Sequence, residues 1–398
     1  MPSLFDPYDL GPIRLANRVV MAPMERSRAR NAAMAADANT ALYFAQRAGA
    51  GLIITGSASV SIEGHGWGFA PAIFTPEQVD AWRGVTEAVH AEGGVIFAQL
   101  RHAGRATHAS IVGGQPPVSS VERQARNTIT FAIDADGKPA MLPQSKPRAL
   151  RTGEIPRVIL EFVQAARNAI AAGFDGVEIH AANGYLFDQF INGELNTRDD
   201  RYGGPPLENR LRFTLETVDA VVAAIGSGRI GIRLSPFGRY NDMPPFEGEA
   251  ETYLALAREL SKRSLAYVHI SDQTKWVDDV SIPGDFLKQL RQAYRGTLIL
   301  AGGYLGDNGQ AAIDAGCADL IAMGKPFLAN PDLVERLRND WPLNAWDSKT
   351  FYTEGPAGYT DYPFYRQRDP AHGTANERAV DGSSTVPVRQ LPSRRHSA

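Results

Sequence analysis

The chain has 398 residues, 43% hydrophobic and 21% charged, with a formal net charge of -3 at pH 7. This is the balance of an ordinary globular protein, and so small a charge predicts no attraction to nucleic acid or to acidic membranes. The single cysteine, Cys317, excludes an intrachain disulfide, a cysteine-held zinc and a protein-held iron–sulfur cluster.

The first residues, Met1-Pro2-Ser3-Leu4-Phe5-Asp6, lack the basic flank and apolar core of a signal peptide. No apolar run approaches the ~20 residues that a membrane span needs. The expectation is a cytoplasmic protein, monomer or homodimer, with no bound metal and a small-molecule ligand.

Leu10-Gly11-Pro12-Ile13 suggests a small hairpin that closes one end of the fold. Eight short apolar runs follow: Arg18–Ala22, Gly51–Thr55, Gly94–Gln99, Gly176–His180, Ile230–Leu234, Ala266–Ile270, Thr297–Ala301 and Asp319–Met323. Helical patterns separate them at Pro76–Glu92, Glu154–Ala172, Leu207–Ile225, Ala250–Arg263, Pro283–Tyr294 and Asn308–Ala315. Eight strands, each followed by a longer connection, predict an α/β fold of the (β/α)8 barrel type over residues 1–370. The connection after the third run is long. Thr128–Ile133 and Lys138–Leu142 flank the turn Asp134-Ala135-Asp136-Gly137, which predicts a hairpin insert at about 105–150, capping the barrel mouth. Residues 371–398 carry few large apolar groups and read as a mobile or loosely docked tail.

In such a barrel the carboxyl ends of the strands converge on one mouth. The fourth run ends in His180, with Asn183 and Tyr185 just beyond. Two hydrogen-bond donors and a weakly acidic hydroxyl suit a site that polarises a carbonyl oxygen and protonates the neighbouring carbon; a histidine at a strand end can equally be structural. The seventh and eighth runs end in Gly302-Gly303 and Gly324-Lys325, where exposed backbone N–H groups and a cation match a barrel phosphate site, although each pair alone would also suit a plain turn. Gln99 can donate and accept, and Arg233 can face negative charge or sit in an ion pair. Together these fit a long phosphorylated cofactor across the mouth, with flavin mononucleotide (FMN) meeting the requirements.

The chain resembles the Old Yellow Enzyme family of FMN-dependent ene-reductases, on its His/Asn branch. The resemblance runs from Leu4-Phe5-Asp6-Pro7 to Gly358-Tyr359-Thr360-Asp361-Tyr362-Pro363. Its marks include Ala22-Pro23-Met24, His102-Ala103-Gly104-Arg105, His180-Ala181-Ala182-Asn183-Gly184-Tyr185, Glu208-Asn209-Arg210 and Arg233-Leu234-Ser235-Pro236. By that resemblance, Pro23, Met24, Ala58, Gln99 and Arg233 hold the flavin ring, and Gly302, Gly303, Gly324 and Lys325 hold its phosphate. His180 and Asn183 grip the substrate's activating oxygen, Tyr185 delivers a proton, and Tyr352 lines the substrate pocket. NADPH or NADH is the implied reductant, and an electron-poor alkene the implied substrate: an α,β-unsaturated carbonyl, nitro or imide compound.

Three positions leave the family pattern. Glu25 stands for a usual Thr beside the flavin, Arg101 for a usual Trp in the substrate wall, and Lys325 for a usual Arg at the phosphate. A Glu25–Arg101 pair is one expectation; Glu25 turned away from the ring, with Arg101 facing solvent, is the other. Two further readings stay open on residues alone: a flavin-free lyase or isomerase acting on a phosphorylated ligand, and a flavin-binding barrel without turnover.

Overall fold

A computed structural model describes residues 2–365; the reading of 371–398 as a tail lies outside them. The barrel strands are β1 (Val19–Met21), β2 (Leu52–Ile54), β3 (Ile96–Arg101), β4 (Gly176–Ala181), β5 (Ile230–Leu234), β6 (Tyr267–Ser271), β7 (Leu298–Ala301) and β8 (Leu320–Met323). All neighbours run parallel, and β8 pairs with β1 through Met323↔Met21, which closes the ring. Every residue of these strands is buried. That is why they read as continuous apolar runs: helices cover the outer face and side chains fill the inner one.

The helices follow their sequence signals. Pro76–Ala91 opens on Thr75, whose side chain accepts from Gln78 N while Gln78 caps back, and Pro76 fills the first turn. Ile155–Ala171 buries Ile155, Val158, Phe162, Ala166 and Ala169, a stripe of helical spacing turned to the barrel. The sequence reading passed over the helix Ala38–Ala45, although Asp37 caps it by accepting from Thr40 N. Eight residues give too few turns for the periodicity to stand out. The short helices Leu186–Ile191, Lys325–Ala329 and Leu333–Arg338 escaped for the same reason.

The N-terminal hairpin forms between Tyr8–Leu10 and Ile13–Leu15. Leu10 and Leu15 join Val20, Leu52, Phe97, Tyr267, Ile299 and Leu320 in an apolar cluster inside the barrel. The Tyr8 hydroxyl lies 2.8 Å from Thr297 Oγ1, at the start of β7. The opposite end carries the insert: Ile129–Ile133 pairs antiparallel with Pro139–Pro143. Gly68 N donates to Phe131 O and Thr130 Oγ1 to Gly66 O, so the hairpin is fastened to the loop that follows β2.

Inward-facing residues divide the wall. β3 to β6 point Gln99, Arg101, Glu178, His180, Arg233 and His269 inward; β7, β8, β1 and β2 point Ile299, Ala301, Leu320, Ala322, Val20, Ala22, Leu52 and Ile54 inward. Toward the mouth one half of the interior is polar and the other apolar; below it Phe97 on β3 and Tyr267 on β6 continue the apolar cluster.

Candidate active site

The polar half builds the site from β4 upward. Past Ala181 the backbone turns left-handed at Asn183 (φ 59°) and Gly184 (φ 71°). A Cβ on Gly184 would fall 2.5 Å from Tyr240 O and 2.8 Å from Asn241 Cβ, so the turn admits only glycine. Asp188, one turn into the next helix, reaches back to hold it. Its Oδ2 accepts from Gly184 N at 2.8 Å and from Ser235 Oγ at 3.1 Å, and its Oδ1 from Tyr253 OH at 2.8 Å. Burial lifts this carboxyl to about 6, against the pull of those three donors.

Asn183 is fixed in orientation as well as position. Its Oδ1 accepts from Ser271 Oγ at 3.1 Å and from Gln273 Nε2 at 3.0 Å, while its main chain is tied to Ser235 Oγ and Asn241 Nδ2. With both lone pairs of the amide oxygen engaged, the group has only N–H donors left to offer. His180 sits on β4 with its ring edge-on to Tyr185, centroids 4.8 Å apart. Burial, then the nearby Arg233 and Arg101, push the imidazole well below its ordinary 6.5. It is therefore neutral at pH 7, with one ring N–H to give, and its buried Nδ1 has no partner among the described residues. Of the three side chains singled out in the sequence, His180 and Tyr185 thus meet, and Asn183 is held at the same strand end by Ser271 and Gln273.

Arg233 stands beside His180 in the β4–β5 register, and its buried Nε has no partner among the described residues. Gln99 is more constrained than its sequence suggested. Its Oε1 accepts from Ser57 Oγ at 2.7 Å, and its Nε2 donates to Glu178 Oε1 at 2.6 Å. Glu178, hidden in the run Gly176-Val177-Glu178-Ile179, was missed as a site residue, polarity within an apolar strand being the available signal; its second partner His269, placed at the mouth by the end of the sixth run, had no role from sequence.

The apolar half contributes backbone. Gly302 (φ 139°) and Gly303 (φ 82°) follow β7; a Cβ would meet Asp272 O at 2.5 Å at the first and Lys275 Cγ at 2.8 Å at the second. Gly324 and Lys325 open the short helix after β8. The main chain at Pro23 and Met24 follows β1, with Gly324 against Met24: a Cβ there would stand 3.5 Å from Met24 Sδ. Ala58 is wholly buried beside β3. Glycines where side chains cannot fit, a lysine, an unpartnered guanidinium and a fixed amide suit the phosphate and the polar ring edge of FMN.

Glu25 and Arg101 do meet. Glu25 Oε1 accepts from the backbone N–H groups of Arg26 and Ser27, both at 2.9 Å, and Oε2 stands 3.9 Å from Arg101 Nη1. Burial pushes the Glu25 carboxyl up, and Arg101 opposes it. Arg101 is 1% exposed, with its carbon centre 5.6 Å from the Tyr185 ring centroid, so the expectation that it faces solvent is overturned. Its Nε and Nη2 are buried without partners among the described residues. Tyr352 is 41% exposed and packs on Trp67, centroids 5.3 Å apart. Trp67 in turn meets Phe131 of the insert. Among the described residues no cluster of three metal-ligating side chains occurs, and no helix is long and apolar enough to cross a membrane.

Residues 3–344 match the model of the NADH:flavin oxidoreductase / NADH oxidase family. The chain is 44% identical over 371 residues to a putative 12-oxophytodienoate reductase 3 of Oryza sativa subsp. japonica, covering 92% of this chain and 93% of that protein. It is 42% identical over 374 residues to 12-oxophytodienoate reductase 2 of Arabidopsis thaliana, covering 90% and 95%. Among solved structures, morphinone reductase superposes with a TM-score of 0.89 at 43% identity, covering 94% of this chain and 99% of that one. An Old Yellow Enzyme homologue from Zymomonas mobilis gives 0.85 at 40%, covering 91% and 99%.

Proposed function

Because the chain belongs to the NADH:flavin oxidoreductase / NADH oxidase family and is an FMN-dependent NAD(P)H oxidoreductase, we propose that it reduces the C=C bond of electron-poor alkenes. The substrates are α,β-unsaturated carbonyl, nitro or imide compounds. FMN, when bound, would supply the hydride-transfer chemistry between NAD(P)H and the alkene carbon. Gln99 and Arg233, with the main chain at Pro23 and Met24, the buried Ala58 and the neighbouring Glu25, would hold its ring. Gly302, Gly303, Gly324 and Lys325 would hold its phosphate.

The chain's own part is to hold the substrate and to manage charge and protons. His180 and Asn183 donate to the activating oxygen, and their hydrogen bonds strengthen as negative charge builds there. The Tyr185 hydroxyl gives its proton to the α-carbon. Arg101 and Tyr352 flank the bound alkene, so a charged wall stands where relatives on the family pattern have an aromatic one. The observation that carries this reading is the Asn183 amide: with its oxygen held by Ser271 and Gln273, it presents donors beside a neutral imidazole, the arrangement a developing enolate oxygen needs. A flavin-free lyase or isomerase is set aside by the family.

The test is direct. NADPH should bleach the yellow protein anaerobically, and cyclohexenone should restore the colour. His180→Ala should slow the second step by ~10²–10³ and the first far less. Equal slowing of both steps would remove the clamp from the account. Bleaching without any reoxidation by cyclohexenone, nitroalkene or maleimide would favour a barrel that binds flavin without alkene turnover.

A further inference from the structure

One carboxylate below the mouth takes no part in the chemistry just described, yet the surrounding polar groups converge on it. Glu178 is fully buried on β4, two residues before His180 and on the same inward face. Its Oε1 accepts from Gln99 Nε2 at 2.6 Å and its Oε2 from His269 Nδ1 at 2.8 Å. Gln99 Oε1 in turn accepts from Ser57 Oγ at 2.7 Å. The strand register puts Glu178 level with Gln99, and Arg233 level with His180 on one side and His269 on the other. Burial alone would lift the Glu178 carboxyl; His269, Arg233 and the Gln99 amide instead hold it below the usual range, and so ionised. Burial in turn draws His269 below its ordinary value, with Glu178 pulling the other way.

As mere filling, a buried charge is a poor choice, because well-packed apolar side chains commonly serve stability as well or better. A carboxylate adds two things that apolar filling cannot. The two ends of a glutamine amide are nearly the same size, so only the chemistry of the neighbours decides which end points where. Here an anion takes the NH2 end and a hydroxyl takes the oxygen end. Glu178 also places a fixed negative charge close to the cation of Arg233.

We propose that Glu178 is a positioning residue of the flavin site: it sets the orientation of the Gln99 amide and offsets the charge of Arg233, holding the reduction potential of bound FMN down. This rests on the reading that Gln99 and Arg233 hold the flavin ring. Removing the negative charge leaves Arg233 less balanced, which favours the more electron-rich reduced cofactor.

The experiment uses the FMN-loaded full chain and reads midpoint potential by reductive titration against a reference dye, and FMN affinity by fluorescence. Glu178→Gln should raise the potential by at least ~30 mV, a tenfold gain in relative affinity for reduced over oxidised flavin. Glu178→Asp keeps the charge but shortens its reach, so the potential should stay near that of the parent while FMN affinity falls ~5–10-fold as Gln99 loses its acceptor. A lower melting temperature with unchanged potential and affinity would reduce Glu178 to a structural group and overturn the proposal. If Glu178→Gln does not fold, the affinity of Glu178→Asp decides: no change overturns it. Arg233→Met separates the two levels of inference. If it alters potential and affinity while the Glu178 variants do not, this proposal fails and the placement of the ring stands; if none of the three alters either, both fail.

Discussion

The two halves of the barrel wall do different work with the same backbone. From β3 to β6 the interior is lined by Gln99, Arg101, Glu178, His180, Arg233 and His269; from β7 round to β2 it is lined by Ile299, Ala301, Leu320, Ala322, Val20 and Leu52. The polar half acts through side chains, two of them fixed by other residues: Asn183 by Ser271 and Gln273, Gln99 by Ser57 and Glu178. The apolar half acts through main chain, at Pro23, Met24, Gly302, Gly303 and Gly324. Chemistry needs specific functional groups in fixed orientations, whereas grasping a phosphate needs only N–H groups and room. Substitutions in the two halves should therefore separate rate from stability.

The largest effect is expected on the polar side. Tyr185→Phe should slow alkene reduction by ~10²–10⁴ and leave flavin reduction by NADPH near its original rate, as stopped-flow absorbance would read. A rate for alkene reduction that stays at the parent value would mean that solvent or another group gives the proton.

The apolar side should answer in the other currency. Leu52 is wholly buried inside the barrel, and Leu52→Ala should cost ~2–5 kcal/mol of stability, seen in urea unfolding, with turnover per FMN-loaded molecule unchanged. A collapse of turnover without loss of stability would break the division of labour.

A smaller effect should come from loosening one support. Ser271→Ala deletes one of the two hydrogen bonds on the Asn183 oxygen, and kcat/KM for cyclohexenone should fall ~2–10-fold while NADPH oxidation by the flavin holds. The smallest is a shift of pH rather than rate. Arg101 opposes the effect of burial on Glu25, so in Arg101→Leu the Glu25 carboxyl should take up its proton at a higher pH than in the parent. A pH titration of the bound flavin's absorption should show that inflection moved upward; an unmoved one would dissolve the pair.

Much of this was legible in the residues. The eight runs matched the eight strands because strands buried on both faces are apolar throughout, a pattern with no phase to misread. Even the insert hairpin was marked, by Asp136-Gly137 between two β-rich stretches. His180, Asn183 and Tyr185 could be picked out because polar groups at the end of such a strand stand against their background. Glu178 was harder: between Val177 and Ile179 it looks like an interruption, and only the ring brings Gln99 from the neighbouring β3 and His269 from β6, beyond β5, to its two oxygens. Ser271 and Gln273 lie some ninety positions from Asn183, and no local pattern announces a partner at that range. The pairing of Glu25 with Arg101 was suggested by two charges replacing two neutral residues at one mouth; the burial of Arg101 was not, since nothing local says which way a long side chain turns.

The ring's closing seam has a consequence for how the molecule is made. Met21 pairs with Met323, and the Tyr8 hydroxyl meets Thr297 across 289 positions of chain. While the chain is being synthesised, β1 therefore has one neighbour and one bare edge until nearly the whole barrel has left the ribosome. An unfinished sheet with open edges is prone to pair with other chains. Contacts that span so much sequence also form slowly, so a synonymous pause placed before residue 319 should lengthen the period in which the nascent chain needs chaperone cover.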